Sequence, residues 1–137
     1  MCTNLVNGFV KQMGHEELMP IAFKFDDDKT VLCADPKAQL IGDFGDPAEV
    51  DAYLTSLVLW NGQSMYDTIS NSAWREIPVT YIYTTADATV PHVYQTTMVE
   101  QLEAAGRPVK THELATGHCP NLTATDDVVD VIKQVAV

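Results

Sequence analysis

Val79-Thr80-Tyr81-Ile82-Tyr83-Thr84-Thr85-Ala86-Asp87 is the stretch on which the fold turns. Its first six residues are all β-branched or aromatic, as in a strand buried within a parallel sheet. Beyond it, Pro91 predicts the opening of a helix with Tyr94, Met98, Leu102 and Ala105 on one face, and Gly106 is expected to end it. Pro108 to Leu114 reads as a second strand. Thr123 or Thr125 is then expected to cap a last helix, with Val128, Val131, Ile132 and Val135 as its buried stripe. Strand, helix, strand, helix with short connections is a βαβα pattern, so the fold class is α/β with two parallel strands joined by a right-handed crossover.

Upstream the pattern is different, and the expected boundary lies at residue 75/76. Residues 1–75 read as an irregular cap or lid region, and residues 76–137 as the βαβα core. Within the cap, Ile21-Ala22-Phe23-Lys24-Phe25 and Thr30-Val31-Leu32-Cys33 flank the polar turn Asp26-Asp27-Asp28-Lys29, which predicts a hairpin. A helix follows, with Asp46 at its N-cap, Pro47 at its first position and Glu49 three residues after the cap. Val50, Tyr53, Leu54, Leu57 and Val58 share one face of it, and Asn61-Gly62 is expected to end it. A second short helix is expected from about Ser64 to Asn71.

Composition removes several function classes. The net charge of −11 leaves little to neutralise phosphates, so no nucleic-acid partner is expected. An anionic membrane surface is disfavoured for the same reason. No apolar run approaches the ~20 residues of a membrane span, and residues 1–6 lack the basic and apolar stretches of a secretory signal. Cys2, Cys33 and Cys119 are far apart and form no Cys-x-x-Cys pair, so neither a zinc site nor a disulfide framework is indicated. Cytoplasmic localisation with reduced thiols is the resulting expectation, and no cofactor or metal is implied.

In open parallel sheets, functional groups gather beyond the carboxyl ends of the strands. Two residues of this chain fall there: Asp87 after the first strand, and His118, in Thr116-Gly117-His118-Cys119-Pro120, after the second. Neighbouring parallel strands lie roughly 5 Å apart, so loops leaving their same ends can bring a carboxylate to an imidazole. Such a carboxylate would orient the ring and stabilise the imidazolium formed when it takes a proton. Each residue also has a plainer reading. Asp87 alone would serve as a cap for the helix opening near Pro91, and His118 alone as a loop histidine bonded to backbone.

Trp74-Arg75-Glu76-Ile77-Pro78 running into Val79–Asp87, then Val90-Pro91, Gln95 and Met98, then Gly117-His118-Cys119-Pro120, resembles the esterase-like α/β-hydrolases. That group includes plant methyl esterases and hydroxynitrile lyases with fungal and bacterial relatives. The resemblance implies a partial α/β-hydrolase fold, with Asp87 as triad acid and His118 as triad base. The stretch from the hairpin through Gly42-Asp43-Phe44, the following helix and Gln63-Ser64 resembles the family's lid. The implied substrate is a small apolar ester or related carbonyl compound. Hydroxynitrile lyases use the same three residues for C–C cleavage, so lyase chemistry stays open as an alternative.

One departure bears on activity. The family's nucleophile sits on a Gly-x-Ser-x-Gly elbow, and none occurs among these 137 residues. Ser64, in Gly62-Gln63-Ser64-Met65, lacks the second glycine and a preceding strand. Cys119 is read as an inert thiol, Tyr94 and Met98 as core, His92 as a solvated helix start and His112 as the outer face of a strand. His15-Glu16-Glu17 lacks the second histidine of a zinc helix. The nucleophile serine is therefore expected outside this chain, and the chain alone is expected to be nearly inactive. A rival reading is a non-catalytic interaction module. Two parallel strands leave an open edge, where a second copy or the missing N-terminal half of the enzyme would pair.

Overall fold

The computed structural model describes residues 7–136; Cys2 and the stretch read for a secretory signal lie outside the described residues. The chain divides into two compact units that interleave in sequence. Met1–Asp35 with Leu57–Ala73 form the first, and Pro36–Ser56 with Trp74–Val137 form the second. A single cut at 75/76 therefore does not separate them, because residues 36–56 pack with the βαβα segment.

In the first unit, α1 (Asn7–Gln12) and α2 (Met19–Ala22) precede the expected hairpin, β1 (Phe23–Phe25) and β2 (Thr30–Cys33). The two strands are antiparallel, pairing Phe23 with Cys33 and Phe25 with Val31. Lys29 takes a left-handed backbone (φ 68°) to close the turn, and the Asp28 carboxylate accepts from both the backbone N–H and the hydroxyl of Thr30. A short third strand, β3 (Trp60–Asn61), adds to β2. Val31, fully buried, and Met65 contribute to the core of this unit. The helix expected over 64–71 is a single 3₁₀ turn at Gly62–Met65.

In the second unit, Pro36 leads into a π-helical turn, Lys37–Ile41, closed by Gly42 at φ 70°. The next helix, α3 (Pro47–Ser56), starts as the sequence predicts: one Asp46 oxygen accepts from Ala48 N–H at 2.9 Å and Glu49 N–H at 3.1 Å. It ends earlier than expected. Thr55 and Ser56 turn their hydroxyls back onto the carbonyls of Ala52 and Tyr53, so Leu57 and Val58 fall outside the helix and Val58 is 75% exposed.

The βαβα pattern is present. β4 (Val79–Thr84) and β5 (Val109–Leu114) run parallel, paired from Val79–Val109 to Thr84–Leu114. α4 (His92–Ala104) packs on both strands. Its buried residues are Tyr94, Gln95 and Val99, whereas Ala105 is exposed, so its inner face is rotated from the expected one. Gly106, at φ 77°, ends α4 in a Schellman arrangement, with Arg107 N–H on Leu102 O and Gly106 N–H on Glu103 O. Neither expected threonine caps the last helix. A short turn, α5 (Pro120–Thr123), intervenes, and the N-cap of α6 (Thr125–Val135) is Ala124. Thr123 and Thr125 bond instead to carbonyls of the preceding turn. Of the expected α6 stripe only Val131 is buried; Ile132 is 53% exposed and Val135 41%. The helix forms where its period predicts, but most of its expected stripe is left uncovered. No helix among the described residues is long and apolar enough to cross a membrane.

Candidate active site

The β4–β5 ladder continues past the strand ends, with Thr85 N–H donating to Leu114 O and Ala86 N–H to Thr116 O. The two loops therefore leave the same rim still zipped together. This brings His118 Nδ1 to 2.9 Å from Asp87 Oδ2, across 31 positions of sequence. An ionised carboxylate only accepts, so Nδ1 carries the proton and Nε2 is left as the basic nitrogen. Among the described residues nothing bonds Nε2. The Asp87 side chain is 3% exposed and that of His118 34%, so the acid is shielded while the imidazole stays accessible.

Every lone-pair direction of Asp87 is used. Oδ1 accepts from the N–H groups of Thr89 and Val90, both at 2.8 Å, and Oδ2 also accepts from the Thr84 hydroxyl at 3.0 Å. Asp87 thus ties the loop before α4 and contacts His118, but it does not cap the helix, whose N-cap is Pro91 with no side-chain bond. Burial, the largest single influence, pushes its carboxyl up. The bond from His118, the Val90 N–H, the charge on the imidazole and the Thr84 hydroxyl outweigh this, holding the group below its ordinary value. Tyr81 is raised, first by burial and then by the Asp87 and Tyr83 charges.

Two supports hold this pair in place. The π-helical turn presents successive carbonyls to both loops. Gln39 O accepts from the Thr89 hydroxyl at 2.7 Å, and Leu40 O accepts from Cys119 N–H at 3.0 Å. Gly117 has no left-handed backbone; its need is for space, because a Cβ there would stand 2.5 Å from Ile41 O. The second support is Gln95, 1% exposed, whose amide grips Thr84 and Val90. On the histidine side, Thr116 is buried and bonds the Thr123 hydroxyl.

Other sequence candidates lie elsewhere in chemical terms. The Ser64 hydroxyl donates to Asn61 O. The Cys119 thiol is partly buried, 3.5 Å from the Tyr53 hydroxyl. His92 is not a solvated helix start: its Nε2 is buried without a hydrogen-bond partner, and its ring lies 5.2 Å from that of Tyr83.

An acid and an imidazole are joined at the carboxyl rim of two adjacent parallel strands of an α/β fold, and comparison with known proteins gives the family. Residues 7–131 match the alpha/beta hydrolase family, and the chain belongs to it. A probable hydrolase of Phoma sp. is 31% identical over 77 residues, 56% of this chain and 32% of the relative. Among solved structures, the pyrethroid hydrolase PytH is similar in fold, with a TM-score of 0.65 at 18% identity, covering 85% of this chain and 47% of that one. The chain thus spans about a third of the curated relative's length and about half of the structural neighbour's.

Proposed function

We propose that Asp87 and His118 are the acid and base of a serine-type catalytic triad that hydrolyses a small apolar carboxylic ester. His118 Nε2 would take the proton of a serine hydroxyl as that oxygen attacks the ester carbonyl, then return a proton to the departing alcohol. Asp87 would hold the ring in the Nδ1–H tautomer and stabilise the imidazolium. The observation that carries this reading is the 2.9 Å contact between His118 Nδ1 and a buried carboxylate beyond two parallel strands. Family membership supports it, because hydrolases of this fold order their triads serine, acid, histidine along the chain. In this reading the serine lies on a Gly-x-Ser-x-Gly elbow outside these 137 residues.

The test is reconstitution. The full chain alone is expected to turn over p-nitrophenyl butyrate negligibly. Mixed with a polypeptide carrying the elbow half of a related hydrolase, it is expected to gain turnover. Asp87→Asn should then lower kcat by about 10⁴-fold, because the wrong tautomer faces the serine, and His118→Ala should abolish activity. Reconstituted turnover indifferent to His118→Ala would sink the proposed roles.

The same unit favours association. Val129, Ile132 and Val135 on α6 are exposed, and β4 and β5 each have an edge without a strand partner among the described residues. We propose that this surface pairs with the elbow-bearing half. Sedimentation of the mixed polypeptides checks it, with a 1:1 species as the expected result.

A further inference from the structure

Gln95 sits at the end of the first turn of α4, facing β4, and its side-chain amide is fully buried. Its Oε1 accepts from Thr84 N–H at 2.9 Å. Its Nε2 donates to Thr84 O at 2.9 Å, Val90 O at 2.8 Å and Thr84 Oγ1 at 3.1 Å. The amide therefore joins the last residue of β4 to the residue before Pro91 and spans the loop that carries Asp87.

The contact with Thr84 Oγ1 has a directional consequence. A hydroxyl has one proton to give and two lone pairs to offer. The amide has two N–H groups for three acceptors, so the one that reaches Thr84 Oγ1 at 3.1 Å is shared with a backbone carbonyl, and Asp87 Oδ2 at 3.0 Å, a carboxylate oxygen that only accepts, takes the hydroxyl proton. The Thr84 proton therefore goes to Asp87, while the amide's bonds to Thr84 N–H and Thr84 O hold the residue that carries it. The carboxylate oxygen it reaches is the one that also takes His118 Nδ1–H.

We propose that Gln95, acting through the Thr84 hydroxyl, is a positioning residue that keeps Asp87 Oδ2 aimed at His118. This rests on the reading of Asp87 and His118 as a proton-handling pair and extends it by two residues. Neither Gln95 nor Thr84 touches the reacting atoms. A donor fixed on Oδ2 restrains the carboxylate from rotating away from the ring, and it supports the ionised form on which the imidazolium depends. Such a chain is cooperative, because the amide fixes the backbone from which the Thr84 hydroxyl reaches the carboxylate.

The experiment uses the full chain and needs no turnover. The Asp87 carboxyl is titrated by carbon-13 NMR and the His118 Nδ1–H proton is observed directly, in wild type and in Gln95→Met, Thr84→Val and Thr84→Ser. Wild type should show a downfield Nδ1–H resonance and an Asp87 midpoint below that of a free carboxyl. Gln95→Met and Thr84→Val should both raise the midpoint towards the ordinary value and move the resonance, while Thr84→Ser, which keeps the hydroxyl, should resemble wild type. Thr84→Val is nearly isosteric, so it decides the matter if Gln95→Met fails to fold. Wild-type values in Thr84→Val overturn the proposal while leaving the Asp87–His118 pair intact. Wild-type protein lacking the Nδ1–H resonance overturns both.

Discussion

Gly117 lies so close to Ile41 that a methyl group added to it would meet the Ile41 carbonyl oxygen at 2.5 Å and the carbonyl carbon at 3.0 Å. Both obstacles are backbone, so no side-chain rotation relieves the clash. Gly117→Ala should push the histidine loop off the π-helical turn, at a cost of about 1–3 kcal/mol. It should also weaken the bond between Cys119 N–H and Leu40 O. Urea denaturation gives the cost, and amide exchange at Cys119 reports the bond. A variant with wild-type stability and exchange would refute this close packing.

Acid sensitivity should centre on Asp87. Its folded-state carboxyl is held below the unfolded value of about 3.9. A depressed carboxyl contributes stability that is present above the unfolded value and drains away as pH falls through it towards the folded value. Asp87→Asn should therefore be less stable than wild type at pH 7, with the gap narrowing below roughly pH 4. Denaturation midpoints of both proteins across pH 7 to 2.5 check this; a gap that stays constant would count against it.

Tyr83 should set the alkaline limit. Its phenol is raised above the ordinary value, by burial first and then by the charges of Glu103, Glu100 and Glu113. A raised group contributes stability that is complete below the unfolded value, about 10, and is lost as pH rises through the folded value. Tyr83→Phe should flatten the loss of stability above that pH. Ultraviolet titration should show one tyrosine fewer in the late, unfolding-linked phase.

The helix cap at Asp46 offers a local measurement. Asp46→Ala leaves the N–H groups of Ala48 and Glu49 without their acceptor, which should cost about 1 kcal/mol. Thermal melts give the value, and Asp46→Asn or Asp46→Ser should recover most of it.

What was legible in sequence was local. The Asp26–Lys29 turn, the Asp46 cap, the Gly106 stop and the two strands carry their signals within a few residues, and the structure has each of them. The meeting of Asp87 with His118 followed from one further rule, that parallel neighbours share a rim. The support provided by residues 36–56 was hidden because it works through the carbonyls of Gln39, Leu40 and Ile41, which every residue type possesses. Gln95 carried a family signal, but its amide acts on Thr84, eleven positions away, and pattern reading assigned that side of α4 to apolar residues. The end of α3 was misread because Thr55 and Ser56 favour their own backbone over continued helix. On α6 the period located the helix but not its cover: only Val131 of the expected stripe is buried, because a period holds no information about the area available to cover it.

The in-register pairing of β4 with β5 turns the placement of the acid and the base into a matter of counting. Asp87 stands three residues beyond Thr84 and His118 four beyond Leu114, and those two final residues are partners across the sheet. An extra residue spliced in near Arg107, before β5 begins, can be absorbed at the far end of the strand. The same residue spliced in after Leu114 would carry the imidazole past its carboxylate with nothing to compensate. Tolerance to length change in this unit should therefore be lopsided, generous at one end of the strand pair and close to nil at the other.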